Sequence, residues 1–123
     1  MILIDTNIII DHLKGHEVIS DWLEMQIAKG ETLAISTLSV VELFGFKNIT
    51  STEQTAINRL LQTIIIVDVD IIIAHEAVRV RQQHNVGTVD AVIAATAKIL
   101  AAELVTNDKN FRKVLGIRVS SLG

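Results

Sequence analysis

Short runs of β-branched and aliphatic residues alternate along the chain with longer segments in which apolar residues recur every three or four positions. The short runs are typical of buried strands, and the longer segments are typical of amphipathic helices. Strands are predicted over residues 2–4, 32–36, 64–67 and 104–106, with a shorter fifth strand over 117–119. Helices are predicted over residues 6–15, 16–30, 37–46, 51–62, 70–85 and 88–102.

The predicted strands and helices alternate and are joined by short links, which indicates an α/β fold. The expected architecture is a single domain over residues 1–123, with a mostly parallel central sheet flanked by helices. The chain contains no proline, no internal repeat and no low-complexity segment that would mark a linker. At the helix starts, Thr6 or Asn7 is expected to cap the first helix, and Ser51 or Thr52 is expected to cap the fourth.

Composition narrows the classes of protein that fit this fold. Half of the residues are hydrophobic and the mean hydropathy is +0.46, so we expect an aliphatic core that also contains Trp22, Phe44 and Phe46. No apolar run approaches the roughly 18 residues of a membrane span, and no basic stretch precedes the first apolar run as in a signal peptide. Cysteine is absent, and we expect a soluble cytoplasmic protein without disulfides. The net charge of −3 argues against a simple basic nucleic-acid binder, but it is compatible with an enzyme that has acidic catalytic residues.

Four acidic residues are expected to meet at one edge of the sheet. Asp5 follows the first predicted strand and Asp108 follows the fourth, while Glu42 and Asp90 lie near the starts of helices. In open α/β sheets, ligands bind beyond the carboxyl ends of the strands, where these residues would lie. Asp5 and Asp108 also have an ordinary explanation as helix caps, and Asp90 can interact with the dipole of its helix. Glu42 has apolar neighbours on both sides, which predicts that it has a partner or binds a metal.

A cluster of carboxylates requires neutralisation. Two carboxylates at ~4 Å repel by about 4 kcal/mol at an effective dielectric constant near 20. Mg²⁺ or Mn²⁺ relieves this repulsion, because it prefers oxygen ligands and is held by one or two carboxylates together with water and substrate phosphate. A bound ion also lowers the pKa of a coordinated water and shields the charge of a phosphodiester. The cluster therefore predicts a metal-dependent nuclease or phosphatase.

Four sequence segments resemble the motif blocks of the PIN domain family, and most closely those of the VapC-like ribonuclease toxins of prokaryotic toxin–antitoxin operons. They are MILIDTNIIIDHL, ISTLSVVELFGF, VDAVIAATAKIL and LVTNDKNF, and their order and spacing match the family over nearly the whole chain. The resemblance implies a metal-dependent endoribonuclease that cleaves RNA, with Mg²⁺ or Mn²⁺ as cofactor and an antitoxin protein as partner. It also implies a set of catalytic and metal-binding acids with supporting polar residues: Asp5, Glu42, Asp90 and Asp108, supported by Thr6, Asn7 and Thr106.

Basic and aromatic residues near these segments each have two interpretations. Lys109, Arg112 and Lys113 are candidate contacts for RNA phosphates, or they stabilise an exposed helix end. Phe46 is either a core residue or part of an apolar groove that, by the resemblance, receives an antitoxin helix.

A homodimer is expected from the aliphatic surplus and from the resemblance. Its interface is predicted on residues 51–62 and 70–84, because Ile57, Leu60 and Leu61 exceed what one small core needs.

Two other functions also place acids at strand ends. A catalytically silent PIN-like module for binding or assembly would have no reason to keep four mutually repelling carboxylates. A receiver-type phosphoacceptor domain would need an adjacent acidic pair after the first strand, and the segment LIDTN lacks one.

Overall fold

All of residues 1–123 are described by a computed structural model, which contains five strands, six α-helices and one short 3₁₀ helix. The strands are β1 (Ile2–Ile4), β2 (Leu33–Ser36), β3 (Ile65–Val67), β4 (Glu103–Val105) and β5 (Arg118–Ser120). The helices are α1 (Thr6–Leu13), α2 (Glu17–Ala28), α3 (Thr37–Phe44), α4 (Ser51–Leu61), α5 (Ile71–Gln83) and α6 (Thr88–Leu100). Each predicted strand and helix is present, with small shifts at the ends. The 3₁₀ helix over Lys109–Lys113 is not predicted from the sequence.

The five strands form one parallel sheet in the order β3-β2-β1-β4-β5. In the central strand β1, Leu3 is paired with Ala34 of β2 on one side and with Leu104 of β4 on the other. This confirms the predicted α/β fold with a parallel central sheet. The strand order reverses between β1 and β4, and open α/β sheets bind ligands beyond the carboxyl ends of the strands at such a reversal, here after Ile4 and Val105.

Alternate residues of the strands enter hydrophobic cores on opposite faces of the sheet. Leu3 and Leu104 pack with α5, α6 and Phe111 on one face. Ile4 and Val105 pack with α1, α2, α3 and α4 on the other face. Both faces are therefore covered, as expected for a parallel sheet whose central strand β1 is apolar throughout. None of the six helices is both long and apolar enough to cross a membrane.

Residues of α4 contribute to the second core rather than to a free surface. Ile57 is buried, and Leu60 and Leu61 are half-buried against the same cluster. The prediction that these three residues are surplus to the core, and therefore available for a dimer interface, is wrong. They pack in the core because α4 turns them toward the sheet.

Two helices are capped by a residue that precedes the predicted caps. Asp5 caps α1, since its Oδ1 accepts a hydrogen bond from the N–H of Thr6 at 2.8 Å. Thr50 caps α4 by accepting from the N–H of Glu53, and the Glu53 carboxylate accepts in turn from the N–H of Thr50. The caps predicted one or two residues later in each helix are wrong. In both cases the true cap is the last extended residue, whose side chain reaches the free N–H groups of the first turn.

The aromatic residues occupy different environments. Phe44 and Trp22 are half-buried against the second core, but Phe46 is 52% exposed, so its predicted place in the core is wrong. The reason is local, because α3 ends at Phe44 before Phe46 can continue the buried face of the helix. Gly45 follows at a close approach: a Cβ at this position would lie 2.5 Å from the carbonyl oxygen of Val41, so only glycine fits.

Candidate active site

The four predicted acids lie on elements that begin or end at the carboxyl edge of the sheet. Asp5 directly follows β1 and caps α1, and Asp108 follows β4 and caps the 3₁₀ helix by accepting from the N–H of Asn110. Glu42 lies in the second turn of α3, and Asp90 is the third residue of α6. The interpretation of Asp5 and Asp108 as caps is thus confirmed. Capping does not exclude a further role, because a carboxylate has two oxygens and about four lone pairs.

Thr106 connects the two acids that follow β1 and β4. Its hydroxyl Oγ1 donates to Oδ2 of Asp5 at 2.7 Å and accepts from the N–H of Asp108 at 3.0 Å. The other oxygen of Asp5 accepts from the N–H of Thr6. Since Thr106 is fully buried at the end of β4, its hydroxyl is held in place between the two acids. Thr106 therefore fixes the orientation of the Asp5 carboxylate.

Thr6 and Ser39 orient Glu42. Oγ1 of Thr6 lies 2.8 Å from Oε1 of Glu42 and 2.8 Å from Oγ of Ser39. Because a threonine hydroxyl has one proton, Thr6 donates to the carboxylate and accepts from Ser39. Thr6 and Ser39 are buried, whereas Asn7 is exposed, so Thr6 rather than Asn7 contacts the acids. The sequence alone does not single out Ser39, although residues three positions apart are neighbours on a helix, which makes its spacing from Glu42 an available signal.

Glu42 lies in a different environment from the one that its sequence neighbours suggest. Its side chain is exposed, and Val41 beside it is 69% exposed. The prediction that Glu42 has a partner is confirmed, since Oγ1 of Thr6 donates to its carboxylate, but its apolar neighbours in α3 do not bury it. The helix α3 turns Ser39 and Leu43 toward the protein interior and leaves the face with Glu42 open. The hydroxyl of Thr6, rather than an apolar pocket, determines where the Glu42 carboxylate lies.

Burial and neighbouring charges both act on Asp5. Burial raises the pKa of Asp5 above its ordinary value, against the hydrogen bonds from Thr106 and Thr6. The charges of Glu42 and Asp90 raise this pKa further. The charges of two of the other three acids therefore act on Asp5.

Asp90 interacts with the remaining acids. Burial raises the pKa of Asp90 above its ordinary value, and the charges of Asp108 and Glu42 act in the same direction. The ammonium of Lys113 lowers the pKa of Asp90. Together with the interactions of Asp5, these couplings join all four carboxylates into one group of like charges.

The three basic residues after Asp108 are not equivalent. Lys109 is exposed at the start of the 3₁₀ helix. Nη2 of Arg112 lies 3.4 Å from Oγ of Ser121. Nζ of Lys113 donates to the backbone carbonyl of Asn85 at 2.7 Å, the shorter of these two hydrogen bonds.

One further acid is buried away from this edge. Glu76 of α5 is 6% exposed, and its carboxylate lies 2.7 Å from Nζ of Lys98 in α6 and 2.7 Å from Nη1 of Arg79. The hydrogen bond from Lys98 lowers the pKa of Glu76 against the effect of burial, and Arg79 lowers it further. Arg79 and Lys98 together neutralise the charge of Glu76. Its ion pair with Lys98 joins α5 to α6, and Glu76 is not part of the acid cluster. No feature of the sequence around Glu76 marks this pairing.

Known proteins are similar to this chain in sequence and in fold. The family model for the PIN domain matches residues 2–116. The chain is 36% identical over 111 residues to Ribonuclease VapC10 of Mycobacterium tuberculosis, which covers 86% of this chain and 81% of that protein. A crystal structure of VapBC2 from Rickettsia felis, bound to a DNA fragment from their promoter, matches all of both chains with a TM-score of 0.88 and 25% identity. A toxin–antitoxin complex from Klebsiella pneumoniae matches 95% of both chains with a TM-score of 0.80 and 31% identity.

Proposed function

This chain belongs to the PIN domain family, and we propose that it is a metal-dependent endoribonuclease and the toxin of a toxin–antitoxin pair. The observation that carries this proposal is the set of acids at the carboxyl edge of the sheet. Thr6 and Thr106 join Asp5, Glu42 and Asp108 by hydrogen bonds, and Asp90 lies in the first turn of α6. The relatives support the substrate class and the partner, since VapC10 is named a ribonuclease and similar structures are toxin–antitoxin complexes. The proposed reaction is hydrolysis of an RNA phosphodiester in the cytoplasm.

Mg²⁺ or Mn²⁺ is the proposed cofactor. The acids and threonines at this edge offer only oxygen ligands, which fits a hard cation rather than zinc. No three acidic, histidine or cysteine groups are placed to hold one ion by themselves, so water and a substrate phosphate would complete its coordination. When bound, the ion supplies a water of lowered pKa and shields the charge of the phosphodiester.

The protein's own residues prepare the site for the ion. The N–H of Thr6 and the hydroxyl of Thr106 fix both oxygens of Asp5, and the hydroxyl of Thr6 fixes one oxygen of Glu42. These donors are neutral, so they orient the carboxylates without cancelling the negative charge that attracts the ion. Asp90 lies half-exposed in the first turn of α6, and the charge of Asp108 helps to raise its pKa. Lys109 and Arg112 are the proposed contacts for RNA phosphates beside this cluster.

Incubation with a mixed RNA pool tests this function. With Mg²⁺ or Mn²⁺ the protein is expected to cleave the RNA, and a chelator is expected to abolish cleavage until the ion is restored. The reason is that the acids alone carry only negative charge and cannot stabilise a phosphodiester. A preparation of Asp5→Asn purified in the same way controls for contaminating nucleases. Cleavage by the pure protein in chelator would contradict the metal mechanism, and no cleavage with the ion would favour a catalytically silent binding module.

The proposed antitoxin site is an apolar groove of about 640 Å³ beside α1, α3 and α4. The groove is lined by Ile10 and Leu13 of α1, Leu43 of α3, Phe46, and Ile57 of α4. Exposed apolar grooves of this kind bind the apolar face of a partner helix. The exposure of Phe46 favours this second interpretation of the residue over the core interpretation.

A homodimer is also proposed, and its interface is assigned to α5 rather than to α4. Ile71, Ile72 and Val78 of α5 are each more than half exposed, and such apolar surface marks association sites. Light scattering at micromolar concentration is expected to give the mass of a dimer. Phe46→Asp is expected to keep that mass but to lose binding of the proposed antitoxin, tested with any small protein encoded by an adjacent gene. A monomeric mass would contradict the dimer, and unchanged partner binding would contradict the groove.

A further inference from the structure

The segment that follows Asp108 is anchored in the core. Phe111 is 1% exposed and Val114 is 4% exposed, and both belong to the core that α5 and α6 cover. Val86, in the loop between α5 and α6, packs against the same core. These apolar contacts bring the end of the 3₁₀ helix next to the loop that leads into α6.

Two hydrogen bonds join these segments directly. Nζ of Lys113 donates to the carbonyl of Asn85 at 2.7 Å, and the N–H of Leu115 donates to Nε2 of His84 at 3.4 Å. The first bond uses a charged donor, which makes it the stronger kind of hydrogen bond. One segment begins just after Asp108, and the other ends just before the helix that carries Asp90.

We propose that Lys113 is a positioning residue of the site: it ties the segment after Asp108 to the loop before α6 and so holds Asp108 and Asp90 at a fixed separation. This inference rests on the proposed function, because it assigns a role within the same site. This role differs from that of an RNA phosphate contact. The carbonyl of Asn85 takes one of the three N–H donors of the ammonium, so the RNA-binding experiment below decides between the two roles. The same ammonium opposes the charges of Asp108 and Glu42 that act on Asp90.

Hydrogen exchange of the protein without RNA or metal tests the link itself. Lys113→Met removes the donor and the charge at similar volume, whereas Lys113→Arg keeps both. In Lys113→Met, amides of residues 84–88 and 109–115 are expected to exchange about three- to tenfold faster, the factor that one hydrogen bond is worth. Lys113→Arg is expected to restore the slow exchange. Lys29→Met, an exposed lysine at the end of α2, is the matched control and is expected to change nothing.

Mn²⁺ affinity, measured by electron paramagnetic resonance of the free ion, tests the effect on the site. Removing a nearby positive charge would by itself tighten binding of a cation. If Lys113 positions the acids, Lys113→Met instead binds Mn²⁺ about three- to tenfold more weakly, and Lys113→Arg binds it like wild type. Equal or tighter binding in Lys113→Met would overturn the inference.

RNA binding in chelator separates this role from a direct contact. A positioning residue predicts unchanged RNA affinity in Lys113→Met, and a clear loss would make Lys113 an RNA contact instead. Unchanged hydrogen exchange in Lys113→Met overturns the inference even if the wild-type protein cleaves RNA. If the wild type neither binds Mn²⁺ nor cleaves RNA, the proposed function fails, and the exchange measurement still decides whether Lys113 ties the two segments.

Discussion

Replacement of one site acid by its amide is expected to lower RNA cleavage by at least about 100-fold, because each change removes charge that holds the ion. The four variants are Asp5→Asn, Glu42→Gln, Asp90→Asn and Asp108→Asn. The loss is expected to be largest for Asp5→Asn, since hydrogen bonds fix both oxygens of Asp5. Initial rates on a labelled RNA with Mg²⁺ measure the effect. Folding is expected to survive, because asparagine caps a helix about as well as aspartate.

A matched control shows whether the loss is specific to this edge of the sheet. Asp21 is an exposed acid in the middle of α2, and Asp21→Asn makes the same chemical change there. This variant is expected to keep the wild-type rate. An amide variant of the proposed site that keeps more than about a tenth of the rate would show that its carboxylate is not needed to hold the ion.

Neutralisation of Asp90 is expected to stabilise the metal-free protein at neutral pH. Folding raises the pKa of Asp90 from its ordinary value of 3.8. Its contribution to the free energy of unfolding is therefore fully present below that value and is lost as the pH rises through the raised pKa. Asp90→Asn cannot lose this contribution. The free energy of unfolding of Asp90→Asn minus that of the wild type is therefore expected to be larger at pH 7 than at low pH. The increase is expected to be less than about 1 kcal/mol, because solvent screens the half-exposed carboxylate.

With Mg²⁺ bound, the wild type is expected to be more stable than Asp90→Asn. At an ion concentration ten times its dissociation constant, the wild type gains about 1.4 kcal/mol, and Asp90→Asn and Asp90→Ala are expected to lose most of that gain. In chelator, Asp90→Ala is expected to be no less stable than wild type, because alanine favours the helix. Thermal melts of the three proteins with and without Mg²⁺ measure both effects. A destabilised Asp90→Ala in chelator, with an equal Mg²⁺ shift in every protein, would give Asp90 a structural role only.

The elements of the fold follow from local patterns, which is why the sequence predicts them well. The apolar runs at 2–4 and 104–106 form neighbouring strands, and the acids after them come together because parallel strands end at one edge. Caps are predicted less well. Thr6 and Asp5 can both cap a helix by composition, and only the backbone conformation of Asp5 decides between them.

Residues whose role depends on packing between distant elements are the ones that the sequence does not resolve. Phe46 and Ile57 are both apolar residues near helices, yet Phe46 is exposed and Ile57 is buried because of where α3 ends and how α4 turns. Ser39 is linked to Thr6 across 33 positions of the chain, and Lys113 is linked to Asn85 across 28. The pattern of apolar residues along the chain does not predict such contacts, since neither partner changes that pattern in its own segment.

The caps formed by Asp5 and Asp108 limit which substitutions positions 5 and 108 tolerate in descendants that are no longer selected for cleavage. Both carboxylates accept hydrogen bonds from the first N–H groups of a helix, and this need persists without any activity. Asparagine, serine or threonine meets it, whereas alanine costs about 1 kcal/mol of stability. Glu42 and Asp90 cap nothing, so they are free to change to any residue that the surface tolerates. Inactive descendants are therefore expected to lose positions 42 and 90 first and most variably, and to retain small polar residues at positions 5 and 108.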